Sequence, residues 1–238
     1  MNVQDSLRKL INFWFTRVHP RIASLITTTG IIGLATCLII IHILSELSEE
    51  VWENEAFAFD KTILLWIHQF ANPTWDSIML NITKLGNPTI MVAITISSFG
   101  ILWWKRYRQE AKIFGIHALG GTILSYGLKL AFNKSRPQLW EQLINETSFS
   151  YPSGHALGSM VIYGFLSYLL SSHYPKYSKI IYIFAAILIG AIGLSRLYLG
   201  VHWPTDVIAG YGVGYLWLML SITMLKLWKY RFLHSSNS

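Results

Sequence analysis

Six stretches of this 238-residue chain are apolar at nearly every position and meet polar residues mainly at their ends. A helix needs about twenty such residues to cross the hydrocarbon core of a bilayer. The pattern predicts spans near Ile22–Leu44, Pro88–Trp104, Ile113–Phe132, Pro152–Leu170, Ile180–Leu197 and Pro204–Leu225, the second on the short side. Three further stretches carry apolar residues at helical spacing on one side only. They are Leu7, Leu10, Ile11, Trp14 and Val18; then Ile63, Ile67 and Phe70; then Trp75, Ile78, Met79, Ile82 and Leu85. Such stripes predict short helices lying along the membrane surface. The expectation is an all-α polytopic membrane protein with six transmembrane helices and short interfacial helices. Residues 1–238 form one domain, with 1–21 a cytoplasmic interfacial segment and 226–238 a cytoplasmic tail.

Composition agrees with the pattern. The chain is 53% hydrophobic and 13% charged, where soluble domains carry about a quarter charged residues. Its net charge of +7 is spread in short groups between apolar segments. Nucleic-acid binding needs those charges on one polar face, so it is excluded. Cys37 is the single cysteine, which rules out an intramolecular disulfide and argues against a cysteine zinc site. No short apolar run ends at a small-residue cleavage site, so the first span is expected to stay as an anchor.

Loop charges then orient the spans. Arg8, Lys9, Arg17 and Arg21, the "KRYRQEAK" loop, Lys176 with Lys179, and the tail with Lys226, Lys229 and Arg231 share one side if there are six spans. The opposite side begins with the acidic "SELSEEVWENE". The positive-inside tendency puts both termini in the cytoplasm.

Three outer span ends carry ionisable groups that a membrane helix normally avoids. "KLAFNKSRP" holds Lys129 and Arg136 seven residues apart, two helical turns, so both can reach one place. "PSGH" spans residues 152–155, and "SRLYLGVHWPTD" holds Ser195, Arg196, His202 and Asp206. Two arginines and a lysine suit a dianion. Pro152 fits the first turn of a helix, which leaves the N–H groups of Ser153, Gly154 and His155 as an anion cradle, with the Ser153 hydroxyl as a further donor. Pro204 opens the last span, and Asp206 stands four residues after His202, where it can orient the ring for nucleophilic attack. Each feature alone has a plainer reading: a snorkelling lysine, loop arginines, a helix start, a structural histidine, a helix-start acid. Their combination points to a phosphoryl site. His42 and His117 have no such pattern and read as packed or pore-facing groups. "GYGVGY", residues 210–215, reads as close packing of the last span.

The combination resembles the type 2 phosphatidic acid phosphatase superfamily. Its signature is lysine, six residues, arginine-proline; proline-serine-glycine-histidine; and serine-arginine, five residues, histidine, three residues, aspartate. Every position is filled here, by Lys129, Arg136 and Pro137, by Pro152 to His155, and by Ser195, Arg196, His202 and Asp206. The resemblance implies that His202 is the nucleophile, Asp206 orients it, and His155 is the acid and then the base. Lys129, Arg136, Ser153, Gly154 and Arg196 would bind the phosphoryl oxygens. It implies no metal and no cofactor. The partners it implies are a lipid phosphate and the bilayer: phosphatidic acid, phosphatidylglycerophosphate or an isoprenyl diphosphate. The loop charges put the site at the outer face, and the small, tail-poor architecture points to a bacterial plasma membrane. The competing readings are a transporter and a non-turnover binder of anionic lipid phosphates; one-faced charges and the paired histidines argue against them.

Overall fold

The structure, a computed structural model, describes residues 30–52 and 58–235. They form helices α1 (Ile31–Trp52), α2 (Ala58–His68), α3 (Pro73–Lys84), α4 (Pro88–Trp104), α5 (Arg108–Phe132), α6 (Gly154–His173), α7 (Ser178–Tyr198) and α8 (Pro204–Ser235), with a 3-10 turn at Pro175–Tyr177. No strand occurs among the described residues. The expected surface helix over Leu7–Val18, and the start of the first expected span, lie outside the described residues.

The helix ends follow local chemistry. Asn72 caps α3 by accepting from the N–H groups of Thr74 and Trp75. α5 stops where Asn133 adopts a left-handed conformation, φ 49°. α6 starts at Gly154, later than the expected Pro152, because Ser153 takes the N-cap and its hydroxyl accepts from Ala156 N–H. α8 opens at Pro204 as expected and runs on to Ser235, past the expected end at Leu225. α1 likewise continues past Leu44 to Trp52.

Four helical stretches are long and apolar enough to cross a membrane: Ile31–Glu49, Arg108–Phe132, Pro175–Tyr198 and Pro204–Lys229. A fifth arises if α3 and α4, bent by 43° at their junction, act as one. By that measure the six-span count depends on α4, which is 17 residues long, and on α6. α6 falls short in hydropathy for a physical reason. It is the hub of the bundle, buried on most of its circumference, and carries Ser159, Gly164, Ser167 and Ser171 where lipid-facing helices carry Leu and Ile. Leu157, Val161, Phe165 and Leu169 of α6 pack with Phe114 of α5 and Leu218, Ile222 and Leu225 of α8 into the main core. His117 of α5 is fully buried there, donating from Nε2 to the Val161 carbonyl (3.0 Å) with Nδ1 2.8 Å from the Ser221 hydroxyl. It is a packed group, not a pore-facing one.

α6 and α8 share the most extensive contact in the bundle. Gly210 and Gly214 make it possible: a Cβ on Gly210 would stand 2.7 Å from the Ser153 carbonyl oxygen, and one on Gly214 would stand 2.8 Å from Met160 Cβ and 3.1 Å from the Leu157 carbonyl oxygen. The glycine-rich stretch is thus the close-packing seam that its spacing predicts. At the far end of the bundle, Glu110 joins His173 (2.8 Å) and Lys229, tying α5, α6 and α8 together.

Two of the apolar stripes fall on and just beyond α2 and α3, and part of each turns inward. Ile67 and Met79 are buried against Tyr198, Leu199 and Val201, while Phe70 and Trp75 are exposed. Backbone cannot yield as a flexible side chain does, so Gly210→Ala is expected to destabilise by about 1–3 kcal/mol. Gly127→Ala, whose Cβ meets nothing within 4 Å, is the control; it should be neutral or stabilising by up to about 1 kcal/mol. Thermal unfolding in detergent checks both.

Candidate active site

The mouths of α5, α6, α7 and α8 meet at one end of the bundle, where the connection over residues 133–153 folds back across them. That connection is pinned by Trp203 Nε1 donating to the Ser135 carbonyl (3.1 Å) and by Gln142 Nε2 donating to the Gly200 carbonyl (2.7 Å). Below it lies a cavity of about 730 Å³ lined by Lys129, Arg136, Glu146, Gly154, His155 and His202, among others. Residues from all three signatures therefore face one space. Arg196, Ser153 and Asp206 stand behind its wall.

His202 is buried, with a charged group on each side of its ring. Arg136 Nη1 lies 3.1 Å from Nε2, and Asp206 Oδ2 lies 3.4 Å from Nδ1. A guanidinium only donates, so Nε2 accepts and the ring proton sits on Nδ1, facing the carboxylate. This is the tautomer that a nucleophilic Nε2 requires. Burial, reinforced by Arg196 and opposed by Asp206, pushes the ring pKa down to about 3. Asp206 is held in turn: Oδ2 accepts from Trp203 N–H (2.9 Å) and from the Ser150 hydroxyl, while Oδ1 accepts from Lys134 Nζ (3.0 Å). The Trp203 bond is half of a capping box, so one carboxylate both starts α8 and backs the histidine.

His155 lies at the first turn of α6. Its Nε2 is 2.8 Å from Asn87 Oδ1. Asn87 is the N-cap residue of α4 yet makes no side-chain capping bond, its oxygen being turned to the imidazole. Lys129 is buried and donates to the Phe149 carbonyl. Arg136 also donates to the carbonyls of Ser148 (2.7 Å) and Val201 (2.6 Å). Arg196 is wholly buried; Nη1 donates to Thr83 Oγ1 (2.8 Å), Nη2 pairs with Glu146, and Nε has no partner among the described residues. Glu146 reaches Arg136 as well, at 3.7 Å. Burial alone would raise the Glu146 carboxyl, but Arg196 and then Arg136 outweigh it and hold it below the usual range. A carboxylate thus occupies the arginine pair that a phosphoryl group would need.

One expectation needs correction. Ser153 N–H donates to the Asp206 carbonyl (2.9 Å), so the cradle at α6 reduces to the N–H groups of Gly154 and His155, which have no intrahelical acceptor. The Ser153 hydroxyl accepts from Ala156 N–H and keeps its own O–H to donate. Ser195 bonds locally, donating to the Ile192 carbonyl (2.6 Å). Spacing did not single out Asn87, Lys134, Glu146, Ser150, Thr83 or Asp60. Lys134 fills an unspecified position between Lys129 and Arg136, and Asp60 is an acid just ahead of the stripe of Ile63, Ile67 and Phe70.

Known proteins with these features complete the picture. Phosphatidylglycerophosphatase B of Bacillus subtilis (strain 168) is 28% identical over 177 residues, 73% of this chain and 87% of that protein. An undecaprenyl-diphosphatase of Sulfolobus acidocaldarius is 32% identical over 169 residues, 68% of this chain and 75% of that protein. The crystal structure of a transmembrane PAP2 type phosphatidylglycerolphosphate phosphatase from Bacillus subtilis has a TM-score of 0.73 at 26% identity, covering 78% of this chain and 94% of that one. The model of the PAP2 superfamily matches residues 110–230, which contain all three signatures. The chain belongs to the PAP2 superfamily and is an integral membrane phosphatase of that family.

Proposed function

We propose that this protein hydrolyses a lipid phosphate monoester or diphosphate through a phosphohistidine on His202. The observation that carries the reading is the His202 ring, set between Asp206 and Arg136 on the wall of a cavity shared with Lys129, Gly154 and His155. Nε2 attacks phosphorus in line with the leaving oxygen, and the bond to the lipid alkoxide, or to the lipid monophosphate for a diphosphate substrate, breaks. His155 gives the leaving oxygen its proton. His155 then takes a proton from water, whose oxygen attacks the phosphohistidine, breaking the N–P bond and releasing orthophosphate. Lys129, Arg136 and Arg196, with the N–H groups at the mouth of α6, stabilise charge on the equatorial oxygens.

The cavity supports a lipid substrate. From its polar end it continues between α4, α5 and α6 along apolar side chains such as Val92, Ile96, Leu119 and Ile162. A tail lying there puts its phosphate at the cationic mouth. Phosphatidylglycerophosphate and isoprenyl diphosphates are the substrates we favour, following the activities for which the similar proteins are named. In this reading α4 and α6 also cross the membrane, giving six spans, with the site on the outer face of a bacterial plasma membrane and both termini inside. The loop charges support that orientation.

Phosphate release from a panel of lipid phosphates, by purified protein with a chelator present, tests the reading. Wild type should turn over. His202→Ala should lose activity by at least about 10³-fold while keeping its unfolding temperature; near-normal turnover would remove His202 as nucleophile. Since the ring stays neutral down to about 3, kcat at saturating substrate should keep its acid limb below about pH 5. An acid limb near the ordinary histidine value would contradict this environment. Glu146→Gln should tighten inhibition by vanadate by about tenfold, because the oxyanion no longer competes with a carboxylate for the arginines. Weaker inhibition would show that Glu146 helps hold the oxyanion.

A further inference from the structure

Lys134 has no place in the family signature, yet it touches the catalytic apparatus from behind. The left-handed Asn133 turns the chain at the end of α5, so that Lys134 and Arg136, two residues apart, approach His202 from opposite sides. Arg136 reaches Nε2. Lys134 Nζ lies 3.0 Å from Asp206 Oδ1, 3.0 Å from Thr205 Oγ1 and 4.0 Å from Asp60 Oδ2. Asp60, from α2, accepts from the Thr205 amide (3.0 Å) and hydroxyl (2.7 Å), capping α8 beside Asp206. Both carboxylates are buried, and burial, with Asp206 adding repulsion, pushes the Asp60 carboxyl above its ordinary value.

Two buried acids this close share a proton unless a cation stands between them. Lys134 is the ammonium that stands there. Other charged or titratable groups around Asp206 are His202 on its own helix turn and, farther off, Arg136, Tyr151, Lys129 and Arg196. Of these cations, none bonds the Asp206 carboxylate. A proton arriving on Asp206 would turn its acceptor oxygen into a donor. Nδ1 of His202 would then lose its carboxylate acceptor and keep only the neutral Ser150 hydroxyl at 3.4 Å, and the ring could carry its proton on Nε2, the nitrogen that must attack.

We propose that Lys134 is a positioning residue: its ammonium keeps Asp206 a pure acceptor and so fixes the reactive tautomer of His202, with Asp60 as its second anchor. This rests on the reading of His202 as nucleophile. It acts through Asp206 and touches no substrate.

The test is kcat and KM for release of phosphate from a lipid phosphomonoester between about pH 3 and 8.5. Lys134→Met should lower kcat by about tenfold or more at pH 6.5, leave KM within about threefold, and move the acid limb up by about one pH unit. Lys134→Arg should keep the limb in place. The deciding variant is Lys134→Met combined with Asp60→Asn, which removes the second acid while keeping an acceptor for Thr205. If Lys134 works through charge, the pair should regain part of the lost kcat and the limb should return toward wild type. Losses that add, or a Lys134→Met profile unchanged in shape with only a lower unfolding temperature, would overturn the proposal and leave Lys134 a structural tie. Should Lys134→Met not fold, Asp60→Asn alone decides: its acid limb should fall below that of wild type, and a fixed limb overturns the idea. A parallel His202→Ala measurement separates the two claims. Activity in that variant removes the nucleophile itself, whereas an inactive His202→Ala beside an unaltered Lys134→Met defeats this inference alone.

Discussion

The amide of Ser153 donates to the carbonyl of Asp206 over 2.9 Å, and the site depends on that bond. It fastens the mouth of α6 to the mouth of α8, two elements separated by a whole helical hairpin in sequence. Gly210 lets the helices close far enough for it to form. With the ends in register, His155 and His202 face one cavity, and the dipoles of two helix N-termini are brought to the same end of the bundle. Side chains alone, on flexible stems in a low-dielectric setting, would not hold that register.

Electrostatics supplies the second constraint. Lys129, Lys134, Arg136 and Arg196 cluster with Asp60, Asp206 and Glu146, four cations against three acids, for a net of +1 with neutral histidines. Buried charges survive when they are paired. If Glu146 swings aside, four cations face two acids, and the balance of +2 matches a phosphoryl dianion. The charge of the arginine pair is thus partly offset by Glu146, from the 133–153 connection, while Asp206 is held by Trp203, Ser150 and Lys134.

Much of this was legible in the sequence. Apolar runs located the long helices, Pro204 marked the start of α8, and the spacing of lysine, arginine, histidine and aspartate pointed to one phosphoryl site. The supporting residues were harder to read for a physical reason. Asn87, Asp60 and Glu146 reach the site from an earlier helix junction, an earlier short helix and a long connection, so no fixed spacing links them to what they touch. The Ser153 N–H left the expected cradle because its acceptor, the Asp206 carbonyl, belongs to the start of another helix, which local spacing does not reveal. α6 is a similar case. Hydropathy reports the surface that a helix offers to lipid, and a helix enclosed by its neighbours has little to offer.

Asn87 begins α4 and also holds the ring of His155. α4 forms one wall of the apolar trough beneath the site. In the proposed reaction the group that protonates the leaving oxygen is therefore hydrogen-bonded to the residue that starts the wall against which the tail lies.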